Sequence, residues 1–447
     1  MIGTTALARP ASATASGMAK VRVSTTGRLF ISVMLILILE GAIRKWISNS
    51  ATVPLVLLRD LLAAYVVVYA FTHGHFRRQR AILQVMVPWS ACVLGWGLLQ
   101  LTLGESSFPV LLIGLRFWLL YLWFGLAAAA GMSERDYIAA VRVLMVLLLL
   151  MAPLVVLQRN SPPSAFINKS LDEDVESIFL VIADVVRTTG TFSFTSGFAN
   201  FLSICTPFAL GALEARKPRM RHRVLALMMF GALVVCALVS GSRAAVVYVG
   251  GTLVLYLLGN LVFAPLRRKG IALVAAVLIV VLAGSLAFIF QDAVEAIQQR
   301  FEIAAQSENF LVRIASTFLG EPGLLERSNW LGAGIGVGSN LAQYVQTGAR
   351  AVFIPAETEA GRTLVEGGLV GGLFVFLKVC LILLGLGGAL KRSMQTRAVF
   401  PTLVWVGLAL ALLTWPAIGQ LTANGMLGVL LGLGVLCLRY PRLRLFE

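Results

Sequence analysis

Residues 222–264 read HRVLALMMFGALVVCALVSGSRAAVVYVGGTLVLYLLGNLVFA, two apolar runs (222 to 240 and 243 to 264) separated by little more than Ser240-Gly241-Ser242-Arg243. Each run approaches the roughly 20 residues that a helix needs to cross the hydrocarbon core of a bilayer. The short polar break is enough for a turn, so the stretch reads as a transmembrane hairpin. Working outward, the same test finds about twelve runs: 28 to 46, 53 to 72, 81 to 102, 108 to 130, 137 to 157, 193 to 213, 222 to 240, 243 to 264, 271 to 290, 362 to 387, 398 to 417 and 420 to 438. Composition agrees: 58% of the 447 residues are hydrophobic and 13% charged, with a mean hydropathy of +0.88, which excludes an ordinary soluble domain. The expected fold class is an all-α membrane protein of about 12 transmembrane helices.

The runs divide the chain. Residues 1–27, rich in Ala, Ser and Thr with a few Arg and Lys, read as a disordered cytoplasmic tail. Residues 28–290 hold helices 1 to 9, including a loop at 158–192; residues 291–361 form a second, larger loop, residues 362–438 hold helices 10 to 12, and 439–447 are a second tail. Glu40, Arg44 and Lys45 follow the first apolar run where a signal-peptide cleavage site would need small residues, so the first helix is read as uncleaved. The five cysteines (Cys92, Cys205, Cys236, Cys380 and Cys437) all sit inside apolar runs without a C-x-x-C pair, a pattern that points to neither a disulfide framework nor a thiolate metal site.

Orientation follows from the short loops, because Lys and Arg accumulate on the cytoplasmic side. Arg77-Arg78-Gln79-Arg80, Arg216-Lys217 to Arg223, Arg267-Arg268-Lys269, Lys391-Arg392 with Arg397, and Arg439 to Arg444 fall on one face if the N-terminus is inside. Both termini are then cytoplasmic. The net charge of +16 is read as a topology and anionic-lipid signal, not as a nucleic-acid surface.

Against that rule, Arg243 lies on the outer side, and Arg44, Lys45, Arg59, Arg116 and Arg362 also map to the outer half of the bundle. A cation buried there is costly and therefore a functional-site candidate. An outward-facing group of cations fits an anionic ligand. The competing readings are local: Glu40 beside Arg44 as a helix-anchoring pair, Arg59-Asp60 orienting one another at the interface, and Lys378 snorkelling or paired within the bundle.

The outer loops carry further motifs. Leu171-Asp172-Glu173-Asp174-Val175-Glu176 contains an Asp-x-Asp, but a solvated acidic turn is the favoured reading, since nucleotide sugars are not found outside the cell. The large loop starts amphipathically around Val294 to Phe310 and closes at Gly332-Ala333-Gly334-Ile335-Gly336-Val337-Gly338. Such a run lets backbone N–H groups approach a phosphate, yet no Lys-Ser/Thr follows it, so a tight turn at the membrane surface is favoured. Glu359, Arg362 and Glu366 follow at i, i+3 and i+7, one face of a helix. Gly367, Gly368, Gly371 and Gly372 then allow close helix approach. A self-neutralising ion-pair network is the alternative reading of this stripe. Trp46, Trp89, Trp118, Trp330 and Trp415 read as interfacial residues, with Trp330 placed to stack on a sugar.

The Ser-Arg-Ala that opens a helix, the long outer loop closing with Gly-x-Gly-x-Gly, and the Glu-rich approach to Leu364-Val-Glu-Gly-Gly-Leu-Val-Gly-Gly-Leu resemble the bacterial O-antigen polymerase and O-antigen ligase superfamily. Glu40-Gly41-Ala42-Ile43-Arg44-Lys45-Trp46, followed by Arg59-Asp60, is similar to its exopolysaccharide polymerase-like subgroup. The resemblance covers most of the chain in topology, while its sharp motifs occupy some forty residues.

The resemblance implies a GT-C-like glycosyltransferase bundle in the bacterial inner membrane, with a large periplasmic loop. It would polymerise undecaprenyl-pyrophosphate-linked oligosaccharide repeat units, with no cofactor and no catalytic metal. A flippase and a chain-length regulator are the implied protein partners, and membrane lipids surround it. Carried over by position, Arg243 matches the family's intramembrane arginine and is the first choice for the pyrophosphate, with Arg116, Arg59 and Arg44 completing a cup. Glu359, Arg362 and Glu366 are the expected catalytic group. One departure stands out. Ligases of the superfamily carry a histidine near the position of Glu357 to Glu359, whereas His73, His75 and His222 all map to inner loops here. A buried carboxylate is therefore expected as the base, Glu359 first. Two alternatives remain: a ligase that transfers glycan to lipid A-core, and a polysaccharide-related secondary transporter with broken helices around a site. The absence of an internal repeat counts against the transporter.

Overall fold

The computed structural model describes residues 23–169, 181–182, 185–214, 219–263, 266–307, 310–321, 323–324, 329–342, 345, 356 and 358–446. The N-terminal tail up to residue 22 and the acidic stretch 171–176 lie outside the described residues, as does Glu357. The helices are α1 (Thr25–Trp46), α2 (Thr52–Thr72), α3 (Arg80–Thr102), α4 (Phe108–Leu115), α5 (Tyr121–Gly131), α6 (Glu134–Asn160), α7 (Thr195–Leu213) and α8 (Met220–Val239). They continue with α9 (Arg243–Phe263), α10 (Leu266–Ile289), α11 (Gln291–Ser307), α12 (Phe310–Leu319), α13 (Glu359–Thr396), α14 (Phe400–Thr414) and α15 (Leu421–Arg439). Apart from a two-residue antiparallel pair, Val181–Ile182 with Val185–Val186, the described chain is helical.

This is a multi-pass membrane protein. Among the described residues, 10 helices are long and apolar enough to cross a membrane, or up to 11 if a bent pair counts as one span. Two of the about twelve expected runs take a different form. Phe400–Thr414, at 15 residues, is apolar but short. Ala276–Ile289 turns by 83° into Gln291–Gln299. The second half of that elbow, α11, carries Gln, Asp and Glu on one side and buries Ala293, Ala296 and Ile297 on the other. That is the pattern of a helix lying along an interface.

Burial sorts the helices into centre and perimeter. Within its most apolar window α7 is 89% buried and α15 is 78% buried, whereas α9 is 17% buried and leaves Val247, Val254 and Leu258 facing outward. A helix that is apolar all round belongs inside such a bundle or against lipid. Small residues let the central helices touch. A Cβ on Gly428 of α15 would stand 2.6 Å from the Tyr121 carbonyl oxygen, and one on Gly125 of α5 would collide with the Gly428 carbonyl oxygen. Close backbone approach replaces the hydrophobic drive that lipid cannot supply.

Two breaks in the helices shape the arginine-bearing end. Between α4 and α5, residues Arg116–Leu120 form one wide π-type turn, so Phe108–Gly131 is a single span with a local widening that starts at Arg116. In α13, Gly368 has φ 52 and ψ −123, outside any helix. Lys378 nevertheless reaches Glu359, 19 positions away, at 2.9 Å. A straight helix would hold those positions ~28 Å apart, so the chain folds back at Gly368 and the segment 359–367 packs against the beginning of the long helix. Gly371 lies directly on the Thr363 carbonyl, where a Cβ would clash.

Gly428→Ala is expected to force α5 and α15 apart at a cost of about 1–3 kcal/mol, read as a melting point lowered by several degrees in detergent. Gly250→Ala, where a Cβ meets nothing within 4 Å, leaves melting unchanged or slightly raised. Equal behaviour of the two variants would contradict this packing.

Candidate functional site

The arginines picked out in the sequence gather at the bundle end opposite the basic loops, in three groups joined by shared contacts. The first group spans α1, α2, α4–α5 and α15. Arg59, about two turns into α2, is 0% exposed. It donates from Nη1 to Glu40 Oε2 at 2.5 Å and from Nε to Asp60 Oδ1 at 3.4 Å. Arg116 grips Asp60 with two nitrogens, Nε to Oδ2 at 2.8 Å and Nη2 to Oδ1 at 3.1 Å, while Tyr121 Oη donates to Oδ1 at 2.8 Å. Arg116 Nη1 also reaches Asn424 Oδ1 of α15 at 3.4 Å and its guanidinium lies over the Phe117 ring. Leaving a guanidinium at this depth without an anion costs several kcal/mol. Two carboxylates from neighbouring helices remove that cost and hold the spans in register.

The second group is a strap, residues 187–193, that closes the loop before α7. It is pinned from three helices. Lys45 Nζ, buried, donates to Thr189 Oγ1 at 2.8 Å and to the Gly190 carbonyl at 2.9 Å. Gln158 of α6 exchanges two hydrogen bonds with the Gly190 backbone, and Thr188 Oγ1 donates to the Val239 carbonyl at the end of α8. Gly190 adopts φ +57 and Gly41 lies flush against the backbone of Thr191 to Ser193, close approaches that a Cβ would block. The strap thereby brings Arg187 within electrostatic reach of Arg243, at the start of α9. Arg187 is half-buried and its Nε lies buried without a hydrogen-bond partner. Burial first, and then the neighbouring Arg243 guanidinium, pull the pKa of Arg187 below its ordinary value; it remains a cation, in a place that favours an anion. Arg44 joins the first two groups: its Nη1 stands 3.3 Å from Ser193 Oγ of the strap and 3.7 Å from Glu40 Oε1.

The third group surrounds segment 418–424. Glu359 accepts from Lys378 Nζ at 2.9 Å and from the Ile418 N–H at 3.2 Å. Arg362 donates from Nε to the Ala356 carbonyl at 2.9 Å, and its guanidinium lies against Gly419. Glu366 sits apart from both. Its carboxylate accepts the Gly336 and Gly338 N–H groups at 3.0 Å each and Trp118 Nε1 at 3.1 Å. The helical stripe of Glu359, Arg362 and Glu366 is therefore split three ways. The fold-back at Gly368 supplies Lys378 to the first residue, while the glycine run wraps the last.

That run is a tight turn, as favoured from the sequence, but its amides do hold an anion, the chain's own. Gln100 secures the same turn, accepting the Ile335 N–H at 2.9 Å and donating to the Leu331 carbonyl at 2.7 Å. Trp330, 60% exposed, packs edge-on against Trp96. His73, His75 and His222 all lie at the basic-loop end, His75 against Gly131 and His222 against Phe446. Among the described residues, no cluster of three or more His, Cys, Asp or Glu side chains is placed to hold a metal ion.

Sequence reasoning missed Arg187 and the strap. The acidic stretch is the conspicuous feature of that loop, yet Thr188-Thr189-Gly190-Thr191, small hydroxyl residues around a glycine directly before a span, is the signal of a backbone meant to be buried and bonded. No family model matches the chain, and no curated protein matches it.

The Glu359–Lys378 pair gives a direct test of the fold-back. Lys378→Met strands a buried carboxylate, a loss of about 3–5 kcal/mol, and lowers the melting point sharply. Adding Glu359→Gln to that variant restores most of the loss. A double variant no more stable than Lys378→Met alone would contradict the pairing.

Proposed function

We propose that the chain is a metal-independent membrane glycosyltransferase of GT-C type that joins lipid-diphosphate-linked oligosaccharide units into a polysaccharide, the O-antigen or exopolysaccharide polymerase activity of the superfamily it resembles. The observation that carries this reading is the pair Arg187 and Arg243, two arginines from a loop and a helix start that lie within electrostatic reach of one another at one end of an apolar bundle. Each feels the other's positive charge, and a multivalent anion bound at that end would be attracted by both. A diphosphate is such an anion, and guanidinium forks match its oxygens.

The chemistry fits. When an acceptor hydroxyl attacks the anomeric carbon, the bond to the diphosphate breaks and negative charge builds on the leaving group. Cations fixed in advance in a dry site stabilise that charge without having to reorganise. The strap bonds from Lys45 and Gln158 keep Arg187 in place, and Arg44 extends the cationic rim. In this reading Arg59 and Arg116, both engaged by Asp60, are scaffold. The arginine end then faces the periplasm of a bacterial inner membrane and the basic loops face the cytoplasm, with lipid-linked oligosaccharide as substrate and a flippase and chain-length regulator as partners. Trp330, exposed at that end, is available to stack on a sugar ring.

In membranes supplied with lipid-linked oligosaccharide, Arg243→Ala and Arg187→Ala are each expected to cut polymer formation about 10²–10³-fold. Arg392→Ala, an exposed change at the basic-loop end, leaves it intact. No polymer with the parent protein would sink the proposal, and undiminished polymer in both site variants at equal protein level would remove these arginines from it.

A further inference from the structure

The carboxylates near the arginines differ in how their oxygens are used. Asp60 is saturated by Arg116, Tyr121 and Arg59. Glu359 spends one oxygen on Lys378 and the other on the Ile418 N–H, and Glu366 spends both on Gly336, Gly338 and Trp118. Glu40 is different. Its Oε2 accepts from Arg59 Nη1 at 2.5 Å, while Oε1 accepts no hydrogen bond among the described residues and stands 3.7 Å from Arg44 Nη1, beyond hydrogen-bond reach.

The location of that oxygen is fixed. Glu40 precedes Gly41, whose backbone lies flush against Thr191 to Ser193 of the strap, and the Arg44 nitrogen that Oε1 faces is the one that reaches Ser193 Oγ. Oε1 therefore borders the strap that carries Arg187, with Arg59 anchoring the other oxygen from behind. The groups facing Glu40 are Arg59 and, through it, Asp60 from α2, Arg44 from its own helix and Ser193 from the strap.

We infer, resting on the glycosyl-transfer reading, that Glu40 Oε1 receives the proton of the acceptor hydroxyl. The acceptor oxygen forms a bond to the anomeric carbon, the bond from that carbon to the diphosphate oxygen breaks with its electron pair staying on the diphosphate, and the hydroxyl proton passes to Glu40. The transfer suits a displacement in which the proton leaves late, once bond formation has made the attacking oxygen acidic. Glu40 would also orient that hydroxyl before reaction, since a carboxylate oxygen with an open lone pair is an acceptor waiting for a donor.

The test compares Glu40→Gln, Glu40→Asp and Arg243→Ala in the full-length protein in membranes, with lipid-linked oligosaccharide as donor, reading kcat, donor KM, donor binding and melting point. Glu40→Gln is expected to lower kcat about 10²–10⁴-fold while donor KM and donor binding stay close to the parent; melting falls, because Arg59 loses the Glu40 charge. Glu40→Gln turning over at the parent rate overturns the proposal, and so does a loss of turnover matched by an equal loss of donor binding, which assigns Glu40 to structure. If Glu40→Gln fails to fold, Glu40→Asp decides, because it keeps a charge for Arg59 but withdraws the oxygen from the strap: a folded variant with low kcat supports the role and one with full kcat overturns it. The parent and Arg243→Ala separate the two ideas. No turnover by the parent protein defeats the glycosyl-transfer reading itself, full activity in Arg243→Ala removes that arginine from the site, and loss in Arg243→Ala beside an active Glu40→Gln defeats the base assignment alone.

Discussion

A guanidinium group inside an apolar bundle needs an anion, and most of this structure's arginine-bearing end is arranged around how that need is met. Taking a charge out of water costs more than an exposed ion pair returns, so a buried arginine persists where a partner is built in or a ligand is to come. For Arg59 and Arg116 the partner is built in: Glu40 and Asp60 knit α1, α2, the α4–α5 span and, through Asn424, α15 into one register. The π-type turn that begins at Arg116 belongs to the same device, because it interrupts the regular helix where that side chain must reach Asp60. Arg187 meets the need differently. It is carried in by a loop held by Lys45, Gln158 and the Val239 carbonyl, and lies within electrostatic reach of another arginine. The ion-paired arginines and the strap that carries Arg187 thus share one end of the molecule and meet at Arg44.

The glycine run shows the same rule with the signs reversed. Backbone amides in a run of glycines concentrate partial positive charge, the feature that phosphate loops exploit. Here Glu366 supplies the anion from within, and the turn becomes the clasp that fastens the end of the large loop to α3, the π-type turn between α4 and α5, and α13 through Gln100 and Trp118. Gly368 makes this possible by breaking the helix so that the Trp330 carbonyl can accept the Leu369 N–H.

Much of the fold was legible because bilayer thickness imposes a length that hydropathy can read. The hairpin at residues 222–264 appears as α8 and α9 with the expected break, and the short α14 and the elbow at Phe290 escaped only because apolar length does not report a bend. The site was legible in part. Depth and charge singled out Arg44, Arg59, Arg116 and Arg243, and adjacency paired Arg59 with Asp60, but nothing in the sequence says which arginine will find which carboxylate across a helix interface. The periodicity of Glu359, Arg362 and Glu366 holds, since residues 359–367 are helical, but the break that follows at Gly368 was not legible, because left-handed backbone in a glycine-rich span leaves no mark beyond the glycine itself. Arg187 was invisible for another reason: its role is created by a loop folding onto α1, α6 and α8, and loops have no period.

The central claim is that Arg187 and Arg243 hold a diphosphate. Its most direct measurement is equilibrium binding of undecaprenyl diphosphate and undecaprenyl monophosphate to the purified protein in lipid nanodiscs, compared with the Arg187→Ala, Arg243→Ala double variant. The account predicts that the parent prefers the diphosphate by about tenfold or more, the worth of one extra charge-assisted contact, and that the double variant loses that preference. Equal binding of both lipids by the parent, or an unchanged preference in the double variant, would contradict it.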